Sequence, residues 1–199
     1  MNNWWLILKK QEMTRLWIDN DYVPVTLLKF VEQEIIGYRT MEKDGYEAVI
    51  IWMGKKELNK EKWIKLKYDM VCEFKINDWF AQANEAGKIL EFDMLNDVET
   101  IAVTWTSKWK GYQWVIRRYG FHWWPETHGS KFHRRPGSIW NRKPRRVAKW
   151  KKLPWHMWLE TVTLKNVKII DRITLDNEKL LAVKWSIPGA YNSFLKIVL

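Results

Sequence analysis

The stretch from Thr104 to Lys152 constrains this chain more than any other: TWTSKWKGYQWVIRRYGFHWWPETHGSKFHRRPGSIWNRKPRRVAKWKK. From Trp105 onward it holds 14 Lys/Arg against one carboxylate, Glu126, while the whole chain nets +11. The remainder is therefore slightly acidic, and the positive charge forms one patch. Charge concentrated in this way points to a polyanionic partner.

The same stretch cannot supply a core. Apart from the short run Tyr112 to Ile116 it has no sustained helical or alternating apolar pattern, and RRPGS and RKPRR break it. Loops of this length inside a compact protein are functional or disordered, and a disordered segment is short of aromatics. Here Tyr112, Tyr119, Phe121, Phe132 and several Trp are interleaved with the cations. Cationic side chains neutralise phosphates, while rings and guanidinium planes stack on bases. The sequence predicts a long basic arm, residues 105–152, that becomes ordered against RNA.

Outside the arm, 199 residues at 47% apolar and 29% charged suit one large domain or a domain with an insertion. No run approaches the 18–20 apolar residues of a membrane span, and MNNWWLILKK lacks the basic start and cleavage site of a signal peptide. Cys72 is alone, which excludes an internal disulfide or a cysteine-based zinc site and suits a cytoplasmic setting. Short β-rich runs are expected at Tyr22–Leu28, with Pro24 suggesting an edge or a strand start, and at Tyr46–Trp52 after the turn Lys43-Asp44-Gly45. Others are expected at Met70–Ile76, Ile89–Leu95, Val98–Thr104, Glu160–Ile173, Lys179–Trp185 and Phe194–Leu199. Residues 77–88 are the best helix candidate, and the mixed-sign stretch KKELNKEKWIKLK before Met70 reads as a solvated face. Many short strands with regular turn signals predict a β-barrel or sandwich, completed by chain from both sides of the arm.

A catalytic constellation is not legible. His128 and His133 are too loosely spaced in a Gly/Pro-rich loop to fix a metal. Ser130 and His133 have no carboxylate placed to orient the imidazole, and there is no phosphate-cradling or dinucleotide-binding glycine motif. No enzyme, metal, cofactor or small-molecule substrate is expected. An anionic membrane surface would favour an amphipathic helix, which the arm's prolines and glycines forbid. What remains is a structural RNA-binding protein, with a free-standing RNA-binding protein or assembly factor with a basic arm as the alternative.

VTWTSKWKGYQWVIRRYGF, then THGSKFHRRPGSIW, then AKWKKLPWHMWLETVTLKNVKII resemble, in this order, the bacterial form of the large ribosomal subunit protein L-three family. KKQEMTRLW near the start, DGYEAV and LLAVKWSIPGA resemble further family segments, with the weakest likeness from about Lys55 to Leu95. The resemblance implies a mainly β fold with some α: a translation-protein-type six-stranded barrel from residues 1–104 and 153–199, a small inserted α/β part around 55–95, and the extension arm. It also implies binding to large-subunit rRNA early in assembly, neighbouring large-subunit ribosomal proteins as partners, and an arm reaching towards the peptidyl transferase centre. On matching positions, Lys108, Lys110, Arg117, Arg118, His128, Ser130, His133, Arg134, Lys149, Lys151 and Lys152 would be rRNA contacts. Lys131, Arg135, Arg142, Lys143, Arg145 and Arg146 join them on charge, with the tip near Ile139 to Pro144.

One feature of composition is abnormal. Trp numbers 16 and Gly only 9, although Gly is normally about 7% of residues. On the resemblance Trp5, Trp105, Trp109, Trp114, Trp123, Trp124, Trp140, Trp150, Trp155, Trp158 and Trp185 all fall on family glycines, whereas Trp17 falls on a family aromatic. Glu12 also stands where the family has glycine. The codon UGA is read as tryptophan in some genetic codes and as glycine in others, so the expectation is that the cellular protein carries glycine at the eleven sites.

Overall fold

Leu6, Ile7 and Leu8 are wholly buried in succession, so the first half of the opening strand is covered on both faces. The computed structural model describes residues 5–55, 68–76, 84–129, 131–140, 146–175 and 178–199. Two compact units divide the chain: Met1–Thr106 with Thr161–Leu199, and Ser107–Glu160.

In the first unit the chain runs through β1 (Trp5–Ile18), β2 (Asp21–Phe30), β3 (Gln33–Arg39), a helical turn α1 (Met41–Asp44) and β4 (Ala48–Lys55). It continues through β5 (Tyr68–Lys75), β6 (Ile89–Leu90), a 3-10 turn at Phe92–Leu95 and β7 (Thr100–Thr106). The second unit contributes β8 (Gly111–Gln113), α2 (Val115–Tyr119) and β9 (Trp155–Met157). The chain then returns to the first unit as β10 (Thr161–Leu175), β11 (Glu178–Lys184) and β12 (Phe194–Val198).

Six strands close into an antiparallel barrel in the order β1, β12, β7, β10, β11, β2. The expectation of a mainly β chain, with strands from both sides of the arm, is met. β1 and β2 form a long hairpin whose turn, Asp19-Asn20, has positive φ at both residues (50° and 62°). Asp and Asn tolerate that region, and the matching primed turn follows the twist of the flanking strands. β11 shows the barrel's apolar demand most plainly, with Leu180, Leu181, Ala182 and Val183 all buried. β5, β4, β3 and β6 form a second antiparallel sheet. Its Ile35, Val49, Ile51, Met53 and Phe74 join Leu6, Leu8, Leu28, Val103 and Ile197 of the barrel in a single core.

Gln33 joins the two sheets. Ladder pairing of β1 with β2 stops at Leu8 and Phe30, and the chain then turns away into β3. The Gln33 side chain takes the next ladder position: Ile7 N donates to its Oε1 at 2.8 Å, and its Nε2 donates to Ile7 O at 3.0 Å. Gln33 is 1% exposed, so a polar side chain in the core is satisfied by backbone groups that would otherwise be orphaned.

A bulge interrupts the β1–β2 register between Lys10 and Met13, and Glu12 lies within it. Here Lys10 turns inward and donates from Nζ to Ile187 O at 2.7 Å and Gly189 O at 3.0 Å, which ties β1 to the turn before β12. Lys10→Met keeps the stem but strands both buried carbonyls. Loss of a buried charged donor of this kind costs about 1–3 kcal/mol, so chemical denaturation is expected to show a lower midpoint with an unchanged slope.

Two local expectations need correction, and a third lies mostly outside the described residues. Pro24 does not mark an edge, because β2 pairs with β1 on one side and β11 on the other. Proline is tolerated because the β11 ladder reaches only Val25, and beyond it Trp185 N donates to Pro24 O at 2.9 Å. Ile89–Leu95 is not one strand: after Leu90 it winds into a 3-10 turn that buries Phe92 and Leu95. Of the expected helix at 77–88, residues 77–83 lie outside the described residues, and Asn84–Lys88 form a bend and turn. The turn Asp176-Asn177 also lies outside them.

Candidate nucleic-acid interface

The second unit is built on a short antiparallel pair. Gly111, Tyr112 and Gln113 of β8 face Met157, His156 and Trp155 of β9. Ser107 N donating to Glu160 O at 2.7 Å and Lys110 N donating to Met157 O at 3.1 Å close its base. Gly120 ends α2 at φ 70° and donates to Ile116 O at 2.8 Å, a left-handed C-cap that glycine adopts without strain. Among the described residues of this unit, Val115 is the only hydrophobic side chain that is buried. Backbone turns and ring contacts, rather than an apolar core, therefore hold the unit's shape.

Its cations point outward. Lys108, Lys110, Arg117, Lys131, Arg134, Arg135, Arg146, Lys149, Lys151 and Lys152 are exposed, as is His128. None of the unit's described cations is in an ion pair among the described residues. Ser130, Arg142, Lys143 and Arg145 of the expected contact set lie outside the described residues. A cleft of about 760 Å³ gathers Lys131, His133, Arg134 and Arg135 with Trp114, Trp123 and Phe132. A neighbouring cleft of about 710 Å³ is lined by His128, Gly129, Phe132, Gly137 and Ser138 with Trp124 and Pro125. Cation and ring are paired within this region: the Arg134 guanidinium lies 5.2 Å from the Trp123 ring and the Arg135 guanidinium 5.9 Å from Phe132. The Nδ1 atom of His133 is buried without a hydrogen-bond partner.

Arg118 differs from the other cations. It is half-buried, donates from Nη1 to Leu153 O at 2.9 Å, and lies 5.0 Å from the Tyr119 ring, against which Lys152 also packs at 5.8 Å. Arg118 therefore joins the outgoing and returning halves of the unit. Charge counting ranks it equal to its neighbour Arg117, and only the proximity of residues 118 and 153 separates the two. Among the described residues no group of three His, Cys, Asp or Glu side chains could hold a metal ion, and no helix is long and apolar enough to cross a membrane.

No family model matches the chain. Individual proteins do. It is 38% identical over 198 residues to large ribosomal subunit protein uL3 of Oceanobacillus iheyensis, covering 95% of this chain and 93% of that one. The uL3 proteins of Thermotoga petrophila and Bdellovibrio bacteriovorus are each 36% identical, covering 96% and 95% of this chain and 95% and 90% of theirs. The chain belongs to the uL3 family. Identity of this extent across such different bacteria bears out the resemblance read from the motifs. It spans nearly the full length of these uL3 relatives, so both units fall within the match.

Proposed function

We propose that this chain is a structural constituent of the large ribosomal subunit that holds large-subunit rRNA through the exposed cations of its second unit. The relatives it matches are themselves large-subunit ribosomal proteins. The observation that carries the rRNA contact is that, among the described residues of the second unit, the exposed cations are in no ion pair, are interleaved with rings, and accompany a single buried hydrophobic side chain. A surface of that kind gains its binding energy from phosphate neutralisation and base stacking and has no machinery for chemistry. The contact set is Lys108, Lys110, Arg117, His128, Lys131, His133, Arg134, Arg135, Arg146, Lys149, Lys151 and Lys152, together with Ser130, Arg142, Lys143 and Arg145. Arg118 acts in it chiefly as an internal tie.

The finer reading is that the barrel is of the translation-protein type with the β3–β6 sheet as its inserted part. The extension would then enter rRNA towards the peptidyl transferase centre, bind early in assembly, and sit among neighbouring large-subunit proteins. Ordering a chain segment costs roughly 1–2 kcal/mol per residue, and Val115, the one buried hydrophobic side chain among the unit's described residues, cannot offset that. Limited proteolysis of the free protein is therefore expected to cut first between residues 123 and 152 while the barrel survives. Adding large-subunit rRNA should suppress those cuts. Equal resistance of arm and barrel without RNA, or no protection with it, would refute the reading.

A further inference from the structure

Six described residues other than glycine have positive φ, and four of them are Asp19, Asn20, Asn166 and Asn192. Asn and Asp are the side chains that enter the left-handed region most readily. The other two are Trp150 at φ 65° and Trp185 at φ 69°. A bulky side chain there is strained, and neither of these is packed into the protein: Trp150 is 96% exposed and Trp185 62%. Neither indole gains burial to offset the backbone.

The local geometry at both sites is that of a glycine. Lys151 N donates to Ala148 O at 3.3 Å, closing the four-residue turn 148–151 with Trp150 in its third position. Lys149 is not at positive φ, so this is the type II pattern, whose third residue is normally Gly or Asn. Trp185 lies where the β11 chain leaves the barrel. Its N–H donates to Pro24 O at 2.9 Å and its carbonyl accepts from Thr26 Oγ1 at 2.7 Å, so the backbone is held from both sides and cannot relax to negative φ.

A third site tells the same way through packing. Indoles of Trp109, Trp155 and Trp158 stand 6.3, 5.7 and 5.5 Å from the His156 ring, centroid to centroid. His156 Nδ1 is buried with no partner, although these three indoles are each at least half exposed. An unsatisfied imidazole under exposed rings is unfavourable on both counts. Trp17 and Trp52 are at neither a positive φ nor an unsatisfied imidazole, although Trp17 is itself 59% exposed. Trp17 packs edge-on against its cross-strand neighbour Tyr22 at 4.6 Å, and Trp52 is 8% exposed and stacked on Tyr68 at 4.5 Å.

We infer that the cellular polypeptide carries glycine at positions 150 and 185, UGA being decoded as glycine in the organism that makes it. Glycine at 109, 155 and 158 follows from the same codon and frees His156. The same decoding extends to the remaining tryptophans on family glycines. Trp5, stacked on Phe74 at 6.1 Å in β1, belongs to the group by the resemblance rather than by strain.

Peptide mass spectrometry of the protein from its native cells tests this directly. Peptides spanning 149–152 and 184–189 are expected to carry glycine, with UGA at those codons and UGG at Trp17 and Trp52. Indole at either position, or UGG codons there, overturns the inference. The conformational argument has its own test in the recombinant full-length chain. Trp185→Gly is expected to melt about 2–4 °C above Trp185→Ala, because alanine keeps the Cβ that clashes at positive φ. An alanine variant as stable as the glycine variant would remove that support. Neither readout involves RNA, so failure here leaves the rRNA-binding proposal standing, and the reverse.

Discussion

Replacing Arg134, Arg135, Arg145 and Arg146 with glutamine is expected to flatten the salt dependence of rRNA binding by about 3–4 in the slope of log K against log salt. Each phosphate contact on duplex nucleic acid contributes roughly 0.9 to that slope through counterion release, so affinity near 0.1 M salt falls about 10³-fold. The measurement is a binding titration against a large-subunit rRNA fragment at several ionic strengths. Arg134 and Arg135 share one cleft and stand over rings. Their loss therefore also removes stacking surfaces, and the weakening is expected to persist in part at high salt. The barrel holds none of the four, so its melting temperature serves as the folding control. An unchanged slope and affinity would sink the rRNA-binding reading.

The second large effect lies in the first unit. Gln33→Ala is expected to cost about 2–5 kcal/mol, because it leaves Ile7 N–H and C=O buried with no partner, at roughly 1–3 kcal/mol for each orphaned group. Gln33 makes both bonds from a position 1% exposed, so water cannot substitute. Gln33→Met separates this cause from simple loss of volume. Methionine fills the space but cannot serve the Ile7 amide and carbonyl together, and most of the loss is expected to remain. Recovery of wild-type stability by methionine in urea unfolding would show that a cavity, not the hydrogen bonds, set the cost.

These two predictions sit at opposite ends of what the sequence discloses. The charge patch was legible because net charge and aromatic interleaving are properties of composition and need no partner in the chain. Most barrel strands were legible for a related reason. Regular turn signals divide apolar runs, and β7, β10, β11 and β12 lie within a few residues of the expected runs. The uL3 motifs went further, because their order along the chain is specific.

What stayed hidden depends on residues far apart in sequence. β1 runs 14 residues and β3 was not foreseen; β1 mixes Lys, Gln, Glu and Arg with apolar residues, and only its neighbours in the barrel decide which are buried. Gln33 reads as an ordinary polar residue until Ile7, 26 positions away, is brought against it. Arg118 reads as one more cation until Leu153 offers it a carbonyl. Pro24 reads as an edge until the reach of β11 is known.

The tryptophans divide along the same line. Sequence alone could count them and set them on family glycines, since composition and motif order are local information. Backbone dihedral angles are not local in that sense. That Trp150 and Trp185 stand at φ 65° and 69° was decided by the turn closing at Ala148 and by the barrel strand holding residue 185 from Pro24 and Thr26. The chain by itself determined its charge, its partner class and its family. The long-range hydrogen-bond ladder determined which side chains carry the fold, because a strand's partners are not written in the strand.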